Sequence, residues 1–104
     1  MLAKNEEINE LLDWYSALLT VKQIDIMNLY YREDLSLMEI AENLQISRSA
    51  VYDLLKRTVN SLHNYEKRLN LVKNYKMRLV IYRQLDEIDC QEVKELTKKL
   101  QELE

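Results

Sequence analysis

A chain of 104 residues that contains neither glycine nor proline has few ways to turn sharply. Glycine supplies the positive-φ conformations that tight hairpins and phosphate-cradling loops need, and proline presets turns and interrupts helices. Without either residue, nothing marks a flexible linker. Leucine, glutamate, lysine, isoleucine and asparagine dominate instead, and β-rich runs are short. These features predict an all-α bundle of five to six helices around a single core.

The first helix is expected from about Glu6 to Leu19, with Asn5 as cap and Glu6 and Glu7 at the positive end of its dipole. Ile8, Leu11, Leu12, Tyr15, Leu18 and Leu19 keep helical spacing and form one stripe, with Trp14 at its margin as a core-edge residue. "TVKQ" at 20–23 reads as a capping box that opens a second helix reaching about Arg32. There Val21, Ile24, Met27 and Tyr31 share a face while Ile26, Leu29 and Tyr30 point elsewhere, so this helix is expected to lie centrally. Tyr30 and Tyr31 read as core residues with marginal hydroxyls.

"SLME" at 36–39 is a second capping box, opening a short helix over about Leu37 to Asn43. Ser47 caps a long helix that continues to about Leu69, and Asn70 suits a left-handed ending. A fifth helix is expected from about Val72 to Leu85. Val72, Tyr75, Leu79 and Tyr82 form its stripe, and Met77, Val80 and Ile81 blur it. Asp89 reads as the cap of a last helix in which Val93, Leu96, Leu100 and Leu103 recur as a seam of coiled-coil type, too short to stand alone. The expected organisation is one domain over residues 1–70 and a C-terminal helical extension over 71–104, used for packing or dimerisation.

Charge is divided along the chain. The net charge of −3 is the sum of −6 over residues 1–47, +7 over 48–83 and −4 over 84–104. Where charge lies on a surface matters more for nucleic-acid binding than its total. The basic block begins where two short amphipathic pieces meet, in "SLMEIAENLQISRSAVYDLLKR" at 36–57. Counting Leu37 as position one, Ala41 is fifth, Val51 fifteenth and Leu54 eighteenth, the spacing of a helix-turn-helix. Ala41 provides the small residue at the crossing. Ile40, Leu44, Ile46, Val51 and Leu54 supply a shared core, with Ile46 filling the corner. The ninth position, commonly glycine for its left-handed turn, is Gln45, so some backbone strain or a slightly different turn is expected there.

With Val51, Leu54 and Thr58 taken as the buried arc of the long helix, the opposite arc holds Arg48, Ser49, Tyr52, Asp53, Lys56 and Asn60, with Arg57 on its flank. Such an arc at the start of a second helix is what major-groove reading requires. The candidate nucleic-acid-binding residues are Arg48 for guanine, Ser49 and Tyr52 for base edges or phosphate, and Lys56 and Arg57 for the backbone. Asp53 opposes phosphate. Lys67, Arg68, Lys73, Lys76 and Arg78 are expected to extend the positive surface. The competing readings are a helix-turn-helix that binds only proteins, and acidic blocks that mimic nucleic acid towards a basic partner.

Residues 17–57 resemble the YlxM-like family of small helix-turn-helix proteins and, more distantly, the region-four domain of bacterial sigma factors. "LLT-KQ" at 18–23, "LYY-EDLSL-EIAE" at 29–42 and "ISR-AVYD" at 46–53 are the most specific pieces, and the YlxM-like resemblance covers nearly the whole chain. It implies a cytoplasmic bacterial protein with a regulatory role, or a part in the signal recognition particle pathway as an adaptor of the particle, its RNA or its receptor. It brings no catalytic residues.

A catalytic reading finds little support. His63 is the only histidine, standing at helical spacing from Glu66, and Cys90 the only cysteine, so a metal or nucleophile site would rest on carboxylates alone. No cofactor is expected. "MLAKNEEINE" lacks a secretory apolar core, and no apolar run approaches the roughly 20 residues of a membrane span. The expectation is a cytoplasmic homodimer binding nucleic acid, DNA rather than RNA, with two half-sites about 34 Å apart.

Overall fold

The computed structural model describes residues 6–104, which contain six α-helices and no strand. The expected Asn5 cap lies outside the described residues. The chain divides into two compact units, one ending at Val72 and one from Lys73 to Glu104.

Helix α1 spans Glu6–Tyr15 and gives way to a tighter turn of 3-10 type over Ser16–Leu18, short of the expected end at Leu19. A 3-10 turn advances each residue by more than an α-helix does, so the last residues leave the stripe's phase. Leu18 turns outward and is exposed, whereas Leu19 folds back onto the core with Ile8, Leu11, Leu12 and Tyr15. Trp14 is half-buried at the core margin.

Helix α2, Val21–Met27, opens on the capping box. Gln23 N donates to Thr20 Oγ1 at 3.1 Å and Thr20 N to Gln23 Oε1 at 2.9 Å. Val21 is 74% exposed and does not share the buried face assigned to it. From Asn28 to Arg32 the helix widens into a π turn, closed by Glu33 N donating to Asn28 O at 2.8 Å. Ile26 and Met27, ahead of that turn, and Tyr31, within it, are all buried, so more than one side of the helix meets neighbours. Asp34 then adopts φ 59°, and Leu35 N closes onto Leu29 O at 3.0 Å.

Helix α3, Leu37–Leu44, carries the second capping box, in which Glu39 N donates to Ser36 Oγ and Ser36 N to Glu39 Oε1. Helix α4, Arg48–Leu69, is capped by Ser47, whose Oγ accepts from Ala50 N at 3.1 Å. It packs against α1, α2 and α3, so α4 rather than α2 is the central element of this unit. Its buried face is Val51, Leu55, Thr58 and Leu62. The core position expected at Leu54 therefore falls to Leu55, which is fully enclosed, and Leu54 is half-buried beside it. Thr58 satisfies its hydroxyl by donating to Leu54 O at 2.8 Å.

Asn70 ends α4 in the left-handed region at φ 55° and ψ 30°. Helix α5, Leu71–Asp86, starts at once and takes its N-terminal support from distant side chains. The Tyr15 hydroxyl donates to Glu66 Oε1 at 2.5 Å and accepts from Leu71 N at 3.1 Å, and Glu66 Oε1 also accepts from Val72 N at 3.1 Å. Two of the donors that a helix start leaves unpaired are thereby satisfied. Glu66 thus serves this joint, although it stands at helical spacing from His63. His63 Nδ1 stands 3.8 Å from Glu7 Oε1.

In the second unit α5 is followed by α6, Gln91–Glu102. Asp89 does not cap α6. Cys90 occupies the cap position in extended conformation without a side-chain bond, after its own N–H has closed onto Ile88 O. Tyr82 and Thr97 are buried, and Arg78 is ion-paired to Glu104. Along the α6 seam Val93 is half-buried, while Leu96, Leu100 and Leu103 are exposed.

Candidate nucleic-acid interface

Two helices joined by three residues form the corner. Helix α3 ends because Gln45 turns left-handed, at φ 55° and ψ 45°, in the position expected to be strained. Ile46 N then donates to Ala41 O at 3.1 Å, and the Ile46 side chain tucks half-buried against the core. This closure redirects the chain and packs the residue after the turn beneath it. Ile40, Ala41 and Val51 are buried at the crossing, so α4 is anchored by its N-terminal turns and presents their opposite side to solvent.

Arg48, Ser49, Lys56 and Arg57 are exposed and Tyr52 is half-buried. Ser49, Lys56 and Arg57 lie opposite the buried face and Tyr52 on its flank, whereas Arg48 stands seven residues before Leu55, on the buried side, and is exposed as the first residue of the helix. Ser49 Oγ lies 3.2 Å from the capping Ser47 Oγ, which orients that hydroxyl at the helix start. Arg57 Nε leans on the Asp53 carbonyl oxygen at 3.5 Å, a long contact that leaves the rest of its guanidinium outward. Among the described residues neither Arg48 nor Lys56 has an ion-pair partner. Asp53, Lys56, Arg57 and Asn60 line one open groove. Asp53 is exposed within it and weakens the positive potential there.

Helix α4 is about 33 Å long, and its exposed ionic groups apart from His63 are Arg48, Asp53, Lys56, Arg57, Lys67 and Arg68. Five cations thus stand against one acid. Asn64, exposed one turn beyond Asn60 and one before Lys67, continues the outer face and was absent from the sequence reading. The i, i+4, i+7 spacing of Asn60, Asn64 and Lys67 was the signal for it. Arg78, by contrast, is engaged by Glu104 and lies over the Tyr75 ring at 5.8 Å, so it does not extend a free positive surface. In the acidic N-terminal block, Arg32 is bound to Asp13 at 2.7 Å. Among the described residues, no group of three or more histidine, cysteine, aspartate or glutamate side chains could hold a metal, and no helix is long and apolar enough to cross a membrane.

A sequence profile described as "Putative helix-turn-helix protein, YlxM / p13 like", the family UPF0122, matches residues 2–103. The UPF0122 protein of Pediococcus pentosaceus is 52% identical over 74% of this chain and 68% of its own length. That of a Geobacillus species is 44% identical over the full length of both chains. YlxM of Bacillus subtilis is 43% identical over 99% of this chain and 96% of its own. The last two relatives align nearly end to end and the profile spans residues 2–103, and on that ground this chain belongs to the UPF0122 family of YlxM / p13-like proteins.

Proposed function

We propose that the protein is a nucleic-acid-binding regulator that docks on duplex DNA through the outer face of α4. The observation that supports this most is the state of Arg48 and Lys56. Both are exposed on the second helix of a helix-turn-helix, and neither is neutralised by the many acidic groups elsewhere among the described residues. Cations left unpaired at that position attract phosphate and release its counterions. Arg48, at the first turn, reaches a base edge and forks onto guanine. Ser49 and Tyr52 reach bases or phosphate beside it, while Lys56 and Arg57 hold the backbone. The protein works without a catalytic step, in the cytoplasm, as a homodimer that sets two copies of α4 on two half-sites.

Anisotropy of labelled duplexes against the full chain, over a salt series, tests this. Arg48→Ala relaxes sequence preference, whereas Lys56→Ala weakens all duplexes alike and lowers the salt slope by about 1. If neither variant alters retention on any duplex at low salt, the reading is lost. The same titration with signal recognition particle RNA covers the partner implied by the family resemblance. Binding there, with none to duplex DNA, replaces regulation of genes by the adaptor role.

A further inference from the structure

The second unit is too small to hold itself. A helix pair of about 30 residues lies below the size at which a single core suffices, and such units rely on metals, disulfides or association. Here only Tyr82 and Thr97 are buried, while large aliphatic side chains stay exposed on both helices. On α5 these are Met77 at 55%, Val80 at 53% and Ile81 at 51%, and on α6 they are Leu96, Leu100 and Leu103. With Ile88 they leave seven large aliphatic side chains in solvent on a unit that runs only from Lys73 to Glu104.

The exposed face of α5 is also self-complementary. Lys73, Met77, Val80, Gln84 and Glu87 follow a 4–3–4–3 spacing along it, a heptad seam with a cation at one end, an anion at the other and aliphatics between. All five are exposed. Glu87 stands one residue past α5 as assigned, yet its N–H still closes onto Arg83 O at 3.2 Å, so it keeps the helical phase. Laid antiparallel on a copy of itself about Val80, this row sets Lys73 against the partner's Glu87 at both ends, Met77 against the partner's Gln84, and Val80 against its own copy. A parallel arrangement would instead oppose lysine to lysine and glutamate to glutamate.

We propose that a second copy of this chain covers the face, through an antiparallel, two-fold α5 seam ended by two Lys73–Glu87 pairs. This rests on the homodimer reading above and is independent of any nucleic acid. Isologous interfaces of this kind need one self-complementary patch and nothing more.

Sedimentation equilibrium of the full chain, with helicity followed by circular dichroism, is the test. The wild type is expected at twice its 12.6 kDa mass. Val80→Lys, which opposes two cations on the two-fold axis, yields a folded monomer. Lys73→Glu and Glu87→Lys each weaken dimerisation about tenfold, and the two together restore it because the pairs are re-formed in reverse. In a Cys90→Ser background, Val80→Cys forms a disulfide-linked dimer under mild oxidation. A monomeric wild type overturns both the homodimer and this surface. A wild-type dimer that survives Val80→Lys leaves the homodimer standing and overturns the surface. A charge-swapped double variant no tighter than the single ones, or no disulfide at Val80→Cys, overturns the antiparallel register.

Discussion

Replacing Tyr15 by phenylalanine removes one oxygen atom and breaks the joint between α4 and α5. In the folded protein that hydroxyl donates to the Glu66 carboxylate at 2.5 Å and accepts from Leu71 N at 3.1 Å, with the Tyr15 ring fully enclosed. A hydrogen bond to a charged partner contributes about 1.5–3 kcal/mol. Leu71 N–H loses its acceptor as well, but Leu71 is exposed enough for water to substitute. The net loss is about 2–3 kcal/mol, which for a chain of this size lowers Tm by roughly 10–20 °C. Glu66→Gln keeps an acceptor for Val72 N and forfeits only the charge, so about 1 kcal/mol is expected. Because the two variants share one bond, the double variant costs less than their sum. Thermal and urea unfolding give the energies, and hydrogen exchange at the Leu71 and Val72 amides locates the damage. A Tyr15→Phe variant within about 2 °C of the parent, with those amides still protected, would refute the reasoning.

Further outcomes follow from single positions. Gln45→Gly relieves a left-handed residue with an exposed side chain. Offset by glycine's backbone entropy, it raises stability by about 0.5–1 kcal/mol, read as a higher urea midpoint. Leu55→Ala empties a fully enclosed site and costs about 2–5 kcal/mol, whereas Leu54→Ala, half-buried, costs about half as much. Equal losses at the two positions would contradict the buried face assigned to α4. Alkaline pH destabilises the protein. Burial, and then the neighbouring Tyr30, push the Tyr31 hydroxyl up to about 12, and burial followed by the Glu66 contact raises that of Tyr15. Both folded values exceed the unfolded value near 10. This contribution to stability is therefore intact below pH 10 and lost as pH climbs towards 12. Tyr31→Phe should flatten that decline in a Tm-against-pH series.

What could be read from the sequence was local. Thr20 with Gln23, Ser36 with Glu39, and Ser47 with Ala50 each meet within three residues, so spacing alone located three helix starts. In a chain without glycine, the left-handed turns fell to Gln45 and Asn70, both placed in advance, and to Asp34, which was missed. Asp34 follows the π turn, and a one-residue widening leaves no mark in a hydrophobic pattern read at a fixed period. The same fixed period carried Val21 and Leu18 inward when both face solvent. Whether Leu54 or Leu55 is buried turns on 100° of helix phase, which is set by how α4 lies on three neighbours at once. The Tyr15–Glu66 bond joins side chains 51 residues apart, and the Arg78–Glu104 pair likewise joins two separate helices. Tertiary partners of this kind have no local signature. The outward placing of Ser49, Lys56 and Arg57 was legible because it needed only a helix and a buried side opposite them, whereas Arg48 lost its place on that arc once Leu55 took the core position expected of Leu54. Arg78 was misjudged because its neutralising partner lies at the far end of the chain.

The central claim is that the outer face of α4 is the surface that meets nucleic acid. Backbone amide shifts of the isotope-labelled full chain, titrated at low salt with a mixed-sequence DNA duplex, test it most directly. Shifts are expected to concentrate over residues 47–60, with the Arg48, Lys56 and Arg57 side-chain signals moving in step. A duplex that moves other signals while these stay fixed, or that moves none, contradicts it.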